Sequence, residues 1–194
     1  MRQLREKDTS KYNKIIDEVG KIILTEGISS VSMSKIAKAT GISSSTIYVY
    51  FTDKDDVLKK VYLENKKNLA DYLAKQIDST ITDDLQYIRS YMEAVYAFGQ
   101  ENFEALMIID QFNHSPILMQ LNISVVESYA GFEMLFERVD RAPAGIFKAV
   151  EPIILLTFGY TPIVMYLQAI KLEQIDPKST TINQIIDMSI KAIT

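Results

Sequence analysis

The stretch that most restricts how this chain folds is SKIAKATGISSSTIYVYF, residues 34–51. It predicts a short helix near 33–40, a turn at Gly41 and a second short helix from 43 or 44 to 50. Small Ala37 stands one helical turn before Gly41, with Ile36, Ile42 and Ile47 as apolar wedges around them. A larger residue than Ala at 37 would push the two helices apart, and the tight turn calls for a positive φ that glycine adopts without steric cost. The helix-turn-helix so predicted covers residues 33–52. Its second helix turns Ser44, Ser45, Tyr48 and Val49 outward, and no acidic group lies between Ser43 and Thr52.

The flanking chain is helical by the same period. Ile15, Ile16, Val19, Ile22 and Ile23 form one stripe opposite Lys14, Asp17, Glu18 and Lys21, and Gly27 ends that helix. Thr52 or Asp53 is placed to cap a longer helix that runs to about 77 through Val57, Leu58, Val61, Tyr62, Leu69 and Leu73. Further helices are expected near 83–99, 101–112, 116–140, 152–173 and 179–193, with breaks marked by Gly99, Pro116, Pro143, Gly145 and Pro177. Seven Gly and five Pro in 194 residues are few, which favours helix over a turn-rich β fold. The expectation is an all-α protein of about nine helices. A three-helix N-terminal domain, 1–53, would join a C-terminal helical bundle, 54–194.

The formal charge of −4 conceals an asymmetry. Residues 1–60 carry 11 Lys and Arg against 8 Asp and Glu, whereas 61–194 carry 10 against 17. Attraction to phosphate is screened within about 10 Å, so a local positive face matters more than the total. The chain has no cysteine, which removes disulfides, thiolate zinc sites and cysteine nucleophiles together. It has one histidine, no phosphate-cradling Gly loop and no paired carboxylate–histidine motif, so neither an enzyme nor a cofactor is expected. Asp53, Asp55 and Asp56 belong to a first helical turn, where the helix dipole accounts for them, and no metal is assigned there. The polar N-terminus lacks the apolar run of a secretory signal, and a cytoplasmic location is the expectation.

Residues 152–170, PIILLTFGYTPIVMYLQAI, carry no charge and are long enough to cross a bilayer. Thr157, Gly159, Thr161, Pro162 and Gln168 weigh against a membrane span, as does the lack of a flanking basic cluster. A helix packed on its own core and on a second subunit explains the composition better. The stripe Ile182, Ile185, Ile186, Ile190 and Ile193 on the last helix suits such a helix–helix seam, so a homodimer is expected.

In residue type and spacing, Gly27, Ser32-Met33, Ile36-Ala37, Gly41-Ile42-Ser43, Thr46-Ile47-Tyr48, Tyr50-Phe51, Lys54 and Leu58 resemble the tetracycline-repressor (TetR) family of bacterial regulators. One departure is Ser45, where that family usually has Gly. The resemblance implies a transcriptional regulator, by family default a repressor, whose recognition helix enters a major groove of a double-stranded, palindromic DNA operator. Ser32, Ser34, Lys35, Tyr48 and Lys54 would then hold phosphate, and Ser44, Ser45, Thr46, Val49 and Tyr50 would face base edges or thymine methyls. Ser43 reads better as a helix cap, and Tyr48 and Tyr50 have an alternative as core aromatics with hydroxyls at the rim. The recognition helix has no Arg, Asn or Gln, so bidentate base readout is unavailable from it and shape carries more of the specificity. Arg2, Arg5, Lys7 and Lys11 could extend the contact as an N-terminal arm.

For the body, the resemblance is one of architecture: dimerisation through the last two helices and a small-molecule effector that releases the DNA. The middle helices supply Phe98, Phe103, Met107, Phe112, Tyr129, Phe132, Phe158 and Met165 as candidates for a pocket taking a mostly apolar ligand. Such stripes also build ordinary cores. His114, after Asp110 and Asn113 at a helix joint, reads as a cap or a satisfied rim group before a ligand contact. The competing reading is a helical protein-interaction or membrane-associated module with vestigial DNA binding.

Overall fold

The computed structural model describes residues 2–194, with side chains from Thr9 onward. The helices are α1 (Arg2–Glu26), α2 (Met33–Thr40), α3 (Ser44–Tyr50), α4 (Lys54–Gln76), α5 (Asp84–Glu101), α6 (Phe103–Asn113), α7 (Ile117–Gln120), α8 (Val125–Ser128), α9 (Glu133–Arg141), α10 (Pro152–Lys171) and α11 (Ile182–Ile193). A 3-10 turn, Ile28–Ser30, separates the first two, and no strand occurs among the described residues. The all-α expectation holds. Arg2, Arg5 and Lys7 fall on the first turns of α1, but their side chains lie outside the described residues.

The chain forms two compact units that do not follow chain order: 1–66 with 107–128, and 67–106 with 129–194. Helices α4 and α6 contribute residues to both.

In the first unit, Ile15, Val19 and Ile23 of α1 are wholly buried, as are Ile36, Ile47, Val57, Leu58 and Val61. Burying an aliphatic side chain of this size stabilises by roughly 1.5–3 kcal/mol, so the short helices α2 and α3 are held by packing more than by their own propensity. Met33 and Ala37 of α2 are only half-buried, as is Ile42 just after it. The buried partner on that face is Thr40, whose hydroxyl donates to the Ile36 carbonyl at 2.8 Å and accepts the Ile42 amide at 3.1 Å. Tyr62 is buried against Phe112, ring centroids 5.2 Å apart, and its hydroxyl reaches Asn113 Oδ1 at 3.1 Å and Ser128 Oγ at 3.2 Å.

In the second unit, α5 packs on α10 and α11, and Tyr91, Met92, Val95 and Phe98 of α5 and Leu155, Leu156, Ile163, Val164 and Leu167 of α10 are buried. Ile186 and Ile193 of the predicted α11 stripe are buried, while Ile182, Ile185 and Ile190 are half-buried. Arg138 of α9 pairs with Asp84, donates to the Thr82 carbonyl at 2.6 Å and lies over the Tyr87 ring at 4.7 Å. A capping box of Thr181 and Gln184 starts α11.

The single helix expected over 116–140 is instead three: α7, α8 and α9. Asn122 at φ 49° and Gly131 at φ 87° leave the right-handed helical region and break it. Ser124 and Glu127 cap α8 reciprocally: Glu127 takes the Ser124 amide at 3.0 Å, and Ser124 Oγ takes the Glu127 amide at 3.2 Å. The count is therefore eleven helices among the described residues, not nine.

By length and composition α10 could cross a membrane. One of its faces is buried in the second unit, and the other exposes Ile154, Phe158 and Met165.

Candidate nucleic-acid interface

The helix-turn-helix is built by local rules. Ser32 caps α2 by accepting the Lys35 amide at 3.3 Å, and Gly41 ends it at φ 67°, the left-handed turn expected there. Ser43 caps α3 by accepting the Thr46 amide at 3.3 Å. The Ser43 hydroxyl also lies 3.0 Å from that of Ser45 and 2.9 Å from that of Thr46, so the start of α3 carries a cluster of three hydroxyls. Ile47 is the single wholly buried residue of α3, and it sets the helix's rotation. That rotation leaves Ser44 and Ser45 exposed, Tyr48 54% exposed and Val49 77% exposed.

Tyr50 is half-buried, its ring 6.3 Å from that of Tyr12 and 6.4 Å from that of Phe51. Tyr12 in turn stacks on Phe51 at 5.2 Å and donates its hydroxyl to Glu64 of α4. Burial first, and the Glu64 carboxylate second, raise the Tyr12 pKa, so it stays a neutral donor. Tyr12 was absent from the sequence-based site, although it stands in register with Ile15, Ile16 and Val19.

The basic candidates differ in their freedom. Lys35 is ion-paired with Glu26 at 2.6 Å, on a partly exposed surface where exchange for a phosphate is cheap. Among the described residues, Lys54 has its neighbour Asp55 as its ionic contact, at 4.0 Å. The Ser32 and Ser34 hydroxyls sit 3.2 Å apart at the start of α2. Asp53 accepts the Asp56 amide at 2.8 Å, so the first-turn acids serve the helix, and among the described residues no group of His, Asp and Glu is placed to hold a metal. Lys60 and Asp56, not predicted from sequence, close the α3–α4 joint: Lys60 Nζ donates to the Tyr50 carbonyl and to Asp56 Oδ2, each at 3.0 Å.

The arrangement offers hydroxyls, one apolar Val and a phenol on an exposed face, with Lys35 and Lys54 on the neighbouring helices. Such a face can hydrogen-bond phosphate and base edges and can contact a methyl group.

Two of the eight pocket candidates share a groove. Phe158 and Met165 line an apolar groove of about 480 Å³ between α10 and α11, together with Pro162, Ile185, Met188 and Ala192, and the other six candidates do not line it. Phe98 is buried edge-on to Tyr72 at 5.4 Å, Phe112 against Tyr62, and Tyr129 edge-on to Phe136 at 5.2 Å. Met107 and Phe132 are buried, and Phe103 lies 5.8 Å from the Lys171 ammonium. Lys66 of α4 was not foreseen: burial lowers its pKa to about 8. His114 is exposed, its Nδ1 2.9 Å from the Asp110 carbonyl, as expected of a satisfied rim group.

Residues 15–61 match the family model described as bacterial regulatory proteins, tetR family. Among curated proteins, an uncharacterised HTH-type transcriptional regulator of Haemophilus influenzae is 28% identical over 113 residues, covering 58% of this chain and 60% of the relative. The fatty acid metabolism regulator protein of Bacillus subtilis is 33% identical over 72 residues, 37% of either chain. The chain thus spans less than two thirds of the length of these relatives. Among solved structures, a TetR family transcription regulator from Marinobacter aquaeolei superposes with a TM-score of 0.82 over 97% of this chain and 98% of the other, at 24% identity, which shows the shared fold. The segment that holds the helix-turn-helix, residues 15–61, is thus similar to the tetR family of bacterial regulatory proteins.

Proposed function

We propose that this protein is a sequence-specific, DNA-binding transcriptional regulator of the bacterial cytoplasm, a repressor released from its operator by a small, mostly apolar ligand. The observation that carries this reading is the outward face of α3. Ser44, Ser45, Tyr48 and Val49 are all exposed there, with no acidic residue from 43 to 52. An exposed Val and Tyr on a seven-residue helix gain nothing from packing, but they suit a groove. Ser32, Ser34, Lys35, Tyr48 and Lys54 hold phosphate in this reading, and Ser44, Ser45, Thr46 and Val49 face bases. Tyr50, half-buried, reaches them only from the rim.

In this reading the division of labour takes the boundary expected from sequence. Residues 1–53 read DNA, and 54–194 dimerise and bind the effector. The exposed apolar side chains Phe158 and Met165 on α10 and Met188 on α11 support a homodimer through these two helices, and a palindromic operator follows from its two-fold symmetry. A ligand releases DNA only if it favours one arrangement of the two heads over the other. The fatty acid metabolism regulator of B. subtilis agrees with a lipid-like effector class.

Selecting bound fragments from random DNA with the full chain tests the reading. A palindrome whose half-site centres lie about 34 Å apart is the expected product. Recovery of no enriched sequence, with binding that ignores salt, would overturn it.

A further inference from the structure

The recognition helix ends abruptly. Only Ile47 among its seven residues is wholly buried, and its last turn contains no basic residue to answer the free carbonyls at its C-terminus. The answer comes from α4. Lys60 Nζ donates to the carbonyl of Tyr50, the last residue of α3, at 3.0 Å, and the same ammonium lies 4.9 Å from the centroid of the Phe51 ring. One turn earlier, Asp56 Oδ2 accepts both Lys60 Nζ at 3.0 Å and the backbone amide of Thr52 at 2.9 Å. Two side chains four residues apart on α4 therefore grip the chain on either side of Phe51: the carbonyl just before it and the amide just after it. Burial alone would push the Asp56 pKa up, but the Thr52 amide and Lys60 outweigh it and hold the carboxyl below its usual value.

We propose that Asp56 and Lys60 are positioning residues of the DNA interface, a clip that fixes the recognition helix relative to α4 without touching DNA. The inference rests on the reading given under Proposed function. The residues on either side of the clip are the ones that must meet the duplex together, Tyr48 and Val49 on the last turn of α3 and Lys54 on the first turn of α4. Phosphate contacts set register only if the groups making them keep a fixed separation. A joint of three residues, 51–53, with an extended Phe51 at φ −137° would otherwise leave that separation loose. The Lys60 ammonium is already engaged by a carbonyl, a carboxylate and a ring. Asp56 carries a charge that DNA repels, so its presence two residues from Lys54, in the same first turn of α4, is explained by the clip and not by attraction to phosphate.

The opposite sign of these two charges makes the test sharp. The full-chain protein is titrated with its selected operator and with unrelated duplex of equal length, across a range of salt, for the unsubstituted protein and for Asp56→Ala, Lys60→Met and Lys60→Arg. Helical circular dichroism is recorded on each. The expected result is that Asp56→Ala and Lys60→Met each weaken operator binding by about tenfold. Binding to unrelated duplex should change less than about twofold and the salt slope should hold, since no phosphate contact is lost. Lys60→Arg should retain most of the affinity, because a guanidinium reaches the same two oxygens. Lys60→Met decides the matter should Asp56→Ala lose its helical signal.

Tighter or unchanged operator binding by Asp56→Ala would overturn the clip and leave only bulk electrostatics. A Lys60→Met protein that loses affinity equally for both duplexes, with the slope reduced by about one, would make Lys60 a phosphate contact and overturn it too. Failure of the unsubstituted protein to bind any duplex would remove the underlying functional reading and this inference with it.

Discussion

The outward faces of α3 and of α10 with α11 expose side chains of opposite character. On α3 the exposed groups are hydroxyls, one Tyr and one Val, on a helix of seven residues with one wholly buried side chain. On α10 and α11 they are Ile154, Phe158, Met165 and Met188, on helices of 20 and 12 residues whose other faces are deeply packed. A small helix that spends its exposed positions on groups able to donate and accept is shaped for a polar surface. A long helix that leaves Phe and Met in the open is shaped for an apolar one. The two faces therefore call for different partners, and each can be damaged without the other.

The largest effect is expected where α3 meets its core. Phe51 is 1% exposed and carries the Tyr12 stack and the Lys60 ammonium, so Phe51→Ala should destabilise the protein by about 3–5 kcal/mol in urea unfolding. A loss under about 1 kcal/mol would show that the short helix does not depend on this packing. Next in size is the apolar face. Replacing Met165 and Met188 together by Glu should weaken self-association by about a hundredfold in sedimentation while leaving helical content intact, because both side chains are exposed within the single chain. Unchanged association would move the dimer contact elsewhere. Gly41→Ala should cost about 1–2 kcal/mol, from backbone alone: φ is 67° and no atom lies within 4 Å of an added methyl.

The smallest effect is electrostatic. Lys59 first, then the Ser124 amide and hydroxyl, hold the Glu127 carboxyl down to about 2. A carboxyl depressed in the folded state adds stability above its unfolded value near 4.5, and that stability is lost as pH falls from there through 2. Proton exchange at the Ser124 amide should accelerate over that window. A Glu127 resonance titrating near 4.5 would contradict it.

The head was far more legible in the sequence than the body, for a physical reason. Gly41, Ser32 and Ser43 act through their own backbone neighbourhood, so residue type and spacing announce them. Lys60 and Asp56 act across a helix joint, and nothing in their spacing says that Tyr50 will stand opposite. In the body, the helix expected over 116–140 followed an apolar period and missed Asn122, Gly131 and the capping pair Ser124 and Glu127, although the last was visible as a Ser followed three residues later by Glu. Phe and Met look the same in sequence whether they meet a core, a groove or a second subunit, so spacing alone does not sort the eight pocket candidates. Phe98 and Phe112 proved buried, and Phe158 and Met165 proved exposed.

The decisive measurement is operator affinity against salt for the unsubstituted protein, Tyr48→Ala and Lys54→Ala. Affinity should fall steeply between roughly 50 and 200 mM salt. Lys54→Ala should reduce that slope by about one, and Tyr48→Ala should weaken binding by roughly 1–2 kcal/mol with fold unchanged. A flat salt response, with both variants binding as well as the unsubstituted chain, would mean that the exposed face of α3 does not serve DNA.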